Sequence, residues 1–363
     1  MNRLTCLMTA FLSASFLIVG GCKKEESTAI SGSPGAPTRP ASKELKLFAW
    51  TEYVPQAVLD GFQKEYGVEV KYEAYDANEQ MLAKVMPGSD YDLIQPSEYT
   101  VEYLLKNQKL LPLDKSKLTN FANLSPDILN LAHDPGNKFT VPWMTGNVGI
   151  IYNTEKVKEP ITGYADVFKD AYKGRIVVLD DSREIVTWAA ATLGVQSNDV
   201  TSDTLKKVKP ILAKWLPLVG AYDSTDPKGK LRTGEVDLGV TWNGEAARLL
   251  AEDAAAGTSK WRYVIPKEGG HRFIDSLCIP VGAKNIENAH LFMNYILRPE
   301  VGVLIAREYP YTSPNAKARE MLTAAERNNL ASYPTETSFE TFKDLDEALI
   351  GDMDKLVTEL KAR

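Results

Sequence analysis

The stretch LKLFAWTEYVPQAVLDGFQKEYG, residues 45–67, contains one complete strand-to-helix unit. LKLFAW is an apolar run of strand length ending at Trp50. Pro55 then opens a helix, because its missing N–H and fixed φ cost nothing at a first helical turn. Val54, Val58, Leu59, Phe62 and Tyr66 recur at helical spacing until Gly67 stops the helix. The unit then repeats along the chain. VEVKYEAY alternates as a strand before the helical NEQMLAKVM, and YDLIQP precedes TVEYLLKNQ. RIVVLDDSREIVTWAAATLG and VDLGVTWNGEAARLLAED make the same step, and FIDSLCIPVGA leads into NAHLFMNYILRPE. Strands alternating with helices predict an α/β fold with mainly parallel sheets flanked by helices. In such sheets ligands gather beyond the carboxyl ends of the strands.

The strand ends therefore matter most. The first carries Trp50, Thr51, Glu52 and Tyr53, with no Lys or Arg, although a helix N-terminus usually attracts anions. Later junctions supply Ser97, Glu98 and Tyr99, then Asp180, Asp181, Ser182, Arg183 and Glu184, then Trp242, Asn243 and Glu245. Phe273 and Asp275 open the next strand, and the loop EYPYTSPN adds Tyr311. Taken singly, each has a plain structural role: acids cap helices and rings fill cores. Glu98 is read as such a cap, and Arg183, between acids, as internally paired. Capping does not explain why aromatic residues accompany the acids at junction after junction. A linear alkylamine does. A carboxylate about 4 Å from an ammonium gains on the order of 4 kcal/mol at an effective dielectric of 20, before desolvation. Ring faces add about 0.5–2 kcal/mol by cation–π attraction and pack against the methylenes between charges.

Composition bounds the rest. The 363 residues carry a net charge of −6 with no basic tract, which argues against a nucleic-acid partner. Arg3 precedes an apolar stretch, Leu7 to Val19, too short for an ordinary membrane span, and Val19-Gly20-Gly21-Cys22 resembles a lipobox. Residues 1–21 are thus expected to be a lipoprotein signal peptide. Cys22 is then the lipid attachment site, and residues 22–43, rich in Ser, Pro, Gly and Ala, form a flexible tether. Lipidation would leave Cys278 the lone thiol of the exported chain, so about 320 residues must hold their fold without a disulfide.

Seven blocks in order carry a resemblance: WTEYVP, YDLIQPSEY, DKSKLTNFANLSPDILN, VVLDDSRE, VTWNGEA, PKEGG with IDSLCIP after it, and YTSPN. The chain resembles the extracytoplasmic spermidine/putrescine-binding receptors of bacterial ABC importers over about residues 45–330. The resemblance implies a two-lobed periplasmic-binding-protein fold of type II that closes on a polyamine in the interlobe cleft. Lobe 1 is expected at 44–147 plus 274–325 and lobe 2 at 148–273 plus 326–363. It further implies that Trp50, Thr51, Glu52 and Tyr53 form one wall, with Ser97 and Tyr99 beside it. Asp181 and Glu184 match the acidic pair of the other lobe, Trp242 the aromatic platform, and Asp275 the acid that holds an amine. Tyr311 matches a pocket tyrosine and Ser224 a weaker polar contact. Phe273 and Glu245 follow putrescine-preferring members, whereas WTEY follows spermidine-preferring ones. The implied partners are putrescine or spermidine, membrane permease subunits driven by a cytoplasmic ATPase, and a membrane reached through the lipid. The receptor is expected to act as a monomer without cofactor or metal.

Two other classes fit less well. A glycoside hydrolase would use a pair such as Asp181/Glu184 or Glu245/Asp275. The acids outnumber two catalytic roles, however, and no G-x-S-x-G, P-loop or H-E-x-x-H motif occurs. Few Asn, Arg or Gln donors lie near the acids to hold sugar hydroxyls. An amino-acid cargo needs a carboxylate-binding Arg, for which Arg183 is the one candidate among these loops, and a metal site would use the acids but not the rings. His133, His271 and His290 are scattered and read as surface or capping residues, and Cys278 reads as a buried small hydrophobe.

Overall fold

A computed structural model describes residues 42–335 and 338–362. The expected signal segment, Cys22 and the tether through residue 41 lie outside the described residues. The strands are β1 (Glu44–Trp50), β2 (Glu69–Tyr75), β3 (Leu93–Ile94), β4 (Leu110–Leu111), β5 (Val141–Asn153) and β6 (Ile176–Val178). They continue with β7 (Val219–Tyr222), β8 (Leu238–Trp242), β9 (Trp261–Val264), β10 (Gly270–Leu277), β11 (Ile279–Pro280) and β12 (Phe339–Glu340).

The opening unit folds as its residues dictate. β1 is followed by the helix Gln56–Tyr66, which buries Val58, Leu59 and Phe62 and ends at Gly67 in the left-handed conformation, φ 68°. β1 sits between β2 and β3, and both pairings are parallel. Around this sheet lie two apolar clusters. One contains Leu47, Val58, Phe62, Phe292 and Ile305, the other Phe48, Met81, Leu104 and Cys278. Cys278 is buried, as its apolar neighbours required.

The larger sheet runs β12-β10-β5-β8-β6-β7, with β9 also on β5. It is parallel among β8, β6 and β7 and antiparallel where β5 meets β8, β9 and β10, so this sheet is mixed where a mainly parallel one was expected. The cause is β5, whose residues are all buried. Its first half puts Val141, Trp143 and Met144 into the core around β1, and its second half puts Val148, Ile150 and Tyr152 into a separate core. β10 returns beside it, from Arg272 opposite Asn147 to Leu277 opposite Val141. Two adjacent antiparallel strands thus carry the chain between two hydrophobic cores. The second core includes Trp188, Val208 and Leu238, together with Met353, Leu356 and Val357 of the C-terminal helix Glu347–Lys361.

Candidate binding cavity

The ends of β1, β3, β6 and β8 and the middle of β10 open onto one cavity of about 520 Å³, a size typical of small-molecule sites. Every residue singled out as a polyamine contact lines it: Trp50, Thr51, Glu52, Tyr53, Ser97, Tyr99, Asp181, Glu184, Ser224, Trp242, Glu245, Phe273, Asp275 and Tyr311.

The rings form a continuous wall. Trp50 lies 6.4 Å from Tyr53, Tyr53 5.2 Å from Tyr311, Tyr311 6.0 Å from Phe273, and Phe273 5.4 Å from Trp242 in edge-to-face contact. Tyr311 is held against Gly244, where an added Cβ would come within 2.5–2.6 Å of ring carbons. Gly244→Ala is therefore expected to push this ring into the cavity and lower ligand affinity about tenfold, as read by calorimetric titration. Unchanged affinity would mean that Tyr311 does not shape the site.

Asp275 faces the cavity and is almost fully buried, 2% exposed. The Tyr53 hydroxyl donates to its Oδ2 at 2.8 Å and the Ser97 hydroxyl to its Oδ1 at 2.7 Å. Ser97 in turn accepts from the Asn78 amide at 3.1 Å, and that amide also donates to the Tyr99 hydroxyl at 2.7 Å. Ser97 sits at the helix N-cap, but its side chain serves Asp275 instead of the helix. Burial pushes the Asp275 carboxyl up to about 7, against the opposing pull of its two hydroxyl partners. Asp275 and Phe273 lie inside β10, not at the start of a strand as expected. The register shift in β10 between Asp275 and Ser276 falls at this point.

Asp181 caps the helix Ser182–Ala191 by accepting from the Glu184 N–H at 3.0 Å, which leaves carboxylate lone pairs for a ligand. Burial, with the Glu184 carboxylate beside it, raises its carboxyl to about 6. Glu184 is already engaged. Its Oε2 accepts from the Trp188 indole at 3.1 Å and its Oε1 lies 2.6 Å from His271 Nδ1. His271 Nε2 is 3.3 Å from Glu98 Oε1, and the imidazole stacks on Phe342 at 3.6 Å. Glu98 also accepts from the Phe342 and Ile274 backbone N–H groups at 3.0 and 2.8 Å. Burial alone would lower the His271 pKa, but the Glu184 and Glu98 carboxylates outweigh it and raise the imidazole to about 9.

These contacts correct three expectations. His271 is neither a surface nor a capping residue but a buried imidazole between two carboxylates that favour its protonated form. Glu98 does not cap its helix. Arg183 makes no ion pair among the described residues; it donates to the Lys343 carbonyl at 2.8 Å and lies over the rings of Phe342 and Tyr99.

At the other end, Glu245 meets a residue that sequence reasoning missed. Lys228 Nζ lies 3.0 Å from Glu245 Oε2, 3.1 Å from Asp226 and 3.3 Å from Glu52. Its side chain is 10% exposed, and its carboxylate neighbours outweigh burial to raise its pKa. A lysine in the first turn of a helix opposes the dipole, and that mismatch was the available clue. Glu52 itself takes a left-handed backbone, φ 56°, which a non-glycine residue adopts at a cost of order 1 kcal/mol. The Ser224 hydroxyl accepts from the Asp180 N–H at 2.9 Å, so it positions the loop bearing Asp181.

Residues 57–333 match the model of the bacterial extracellular solute-binding proteins. The chain belongs to that family. This solute-binding protein is 39% identical over 293 residues to the spermidine/putrescine-binding periplasmic protein of Escherichia coli, covering 80% of this chain and 83% of the relative. It is 32% identical over 309 residues to the putrescine-binding periplasmic protein PotF of the same organism, covering 80% and 83%. The spermidine/putrescine ABC transporter substrate-binding protein PotD of Streptococcus pneumoniae superposes with a TM-score of 0.76 at 32% identity, over 88% of this chain and 99% of that one. The solute-binding protein therefore has the two-lobed type II α/β fold. Its family is one of extracytoplasmic transport receptors, not of enzymes.

Proposed function

We propose that this protein captures a polyamine in the cavity and delivers it to an ABC permease, itself catalysing no reaction. The observation that carries this reading is Asp275, a buried carboxylate held by two hydroxyls at the end of a wall of aromatic rings. Hydroxyl donors orient such a carboxylate without neutralising it, so a cation completes the site. Aromatic faces exclude water and favour an alkylammonium over a metal ion, and the buried carboxylate favours a cation over a neutral sugar. The names of the relatives point the same way. The same reading includes attachment to the membrane through lipid on Cys22, action as a monomer, and lobes at 44–147 plus 274–325 and 148–273 plus 326–363.

Calorimetric titration with putrescine, spermidine and a neutral disaccharide tests this. At least one polyamine is expected to bind in the micromolar range or tighter and the sugar not at all. Sugar binding, or heat from neither amine, would overturn the proposal.

The pH dependence has a definite sign. Asp275 and Asp181 are raised to about 7 and about 6 in the free protein, so each is substantially protonated below those values. An ammonium ligand binds the carboxylate form and lowers both pKa values. Affinity should therefore fall as pH drops from 8 to 5, and binding near pH 6.5 should release protons. Titrations in buffers of different ionisation enthalpy measure that release. Zero release at pH 6.5 would contradict the assignment.

A further inference from the structure

Three cavity-facing acids already hold a basic side chain of the protein at ion-pair distance. Glu245, with a 6% exposed side chain, has both oxygens on Lys228 Nζ, at 3.0 and 3.3 Å, and Glu52 shares the same ammonium. Glu184 has His271 on one oxygen and the Trp188 indole on the other. Among the described residues, the cavity-lining acids shielded from bulk water that lack a basic side chain at ion-pair distance are Asp181 and Asp275. Asp76, Glu79, Glu347 and Asp354 also line the cavity but are exposed, where charge pairs contribute at most about 1 kcal/mol.

We propose that Lys228 is a built-in ammonium that fills the Glu52–Glu245 end of the cavity and so restricts the ligand to a diamine. This rests on the polyamine reading above and deepens it. The cavity volume does not discriminate, because about 520 Å³ admits a diamine or a longer triamine alike. Charge does. A diamine brings two ammonium groups to two open carboxylates, Asp181 and Asp275. The third charge of a triamine must either stay at exposed acids such as Glu52, where a charge pair contributes at most about 1 kcal/mol, or displace Lys228 from the buried Glu245. Displacement would strand a buried ammonium, and an uncompensated buried charge is strongly unfavourable. The lysine stem comes from the short helix Pro227–Thr233, whose Asp226 cap fixes the first turn and also contacts Nζ. The ammonium is thus anchored, not a free arm.

The test is a calorimetric competition between 1,4-diaminobutane and spermidine for the full exported chain. The wild type is expected to bind the diamine at least tenfold tighter. Lys228→Met keeps the aliphatic stem and removes the charge, which should shift the ratio toward spermidine by at least tenfold. Lys228→Gln serves as a second variant should the first fail to fold. The inference is overturned by a wild type that prefers spermidine, whatever the variants do. It is also overturned if a folded variant binds both amines with the ratio unchanged within threefold; the polyamine reading would then survive. A wild type that binds neither amine removes both.

Discussion

Asp275→Asn is expected to lower polyamine affinity by about 10²- to 10³-fold, because truncating one partner of a buried charge pair costs roughly 2–5 kcal/mol. The same substitution should not unfold the protein. Ionised Asp275 is disfavoured by burial in the free state, its pKa standing at about 7 against roughly 3.9 in an unfolded chain. An acid whose folded pKa is raised in this way lowers stability as pH climbs from its unfolded to its folded value and carries the full penalty above it, so a neutral amide should leave stability at pH 8 unchanged or higher. Asparagine keeps an acceptor for one of the two hydroxyls of Tyr53 and Ser97. Titration calorimetry together with urea unfolding separates the two effects. Loss of affinity in step with loss of stability would make Asp275 a structural residue instead.

His271→Phe should behave in the opposite manner. The ring would still stack on Phe342, but Glu184 and Glu98 would lose their shared cation. Removing one partner of a buried ionic cluster costs about 3–5 kcal/mol, which is a large fraction of a domain's stability. The imidazole titrates at about 9 in the fold and about 6.5 when unfolded, so its stabilisation is complete below pH 6.5 and disappears as pH rises through 9. Urea unfolding of the free protein at pH 6, 7.5 and 9.5 should show wild-type stability declining across this range. The variant should be weaker at pH 6 and should decline less, keeping the loss that Asp275 brings as pH rises to about 7 and showing none between pH 7.5 and 9.5. A wild type that gains stability up to pH 9.5 would mean that His271 is neutral between its two acids.

The sequence showed its strand-to-helix units clearly, because each is local and periodic, and the acids and rings at their junctions do meet in one cavity. What escaped was non-local. β5 is buried throughout, so it shows no alternation, and Pro142, Gly146 and Asn147 interrupt its apolar run. His271 meets carboxylates 87 and 173 positions away, and Lys228 meets Glu52 across 176. Beyond the dipole mismatch at Lys228, nothing in a local pattern distinguishes a histidine or lysine that will be buried between acids from one on the surface. Asp275 was found by its motif, yet its place within β10 was not, because register is decided by the partner strand.

The most direct measurement is a crystal structure of the protein grown with putrescine. One ammonium is expected within hydrogen-bond distance of Asp275 and the other at Asp181, with the butyl chain against Tyr311 and Trp242 and Lys228 still on Glu245. A diamine bound away from these carboxylates, or a cavity left empty at saturating ligand, would contradict the account.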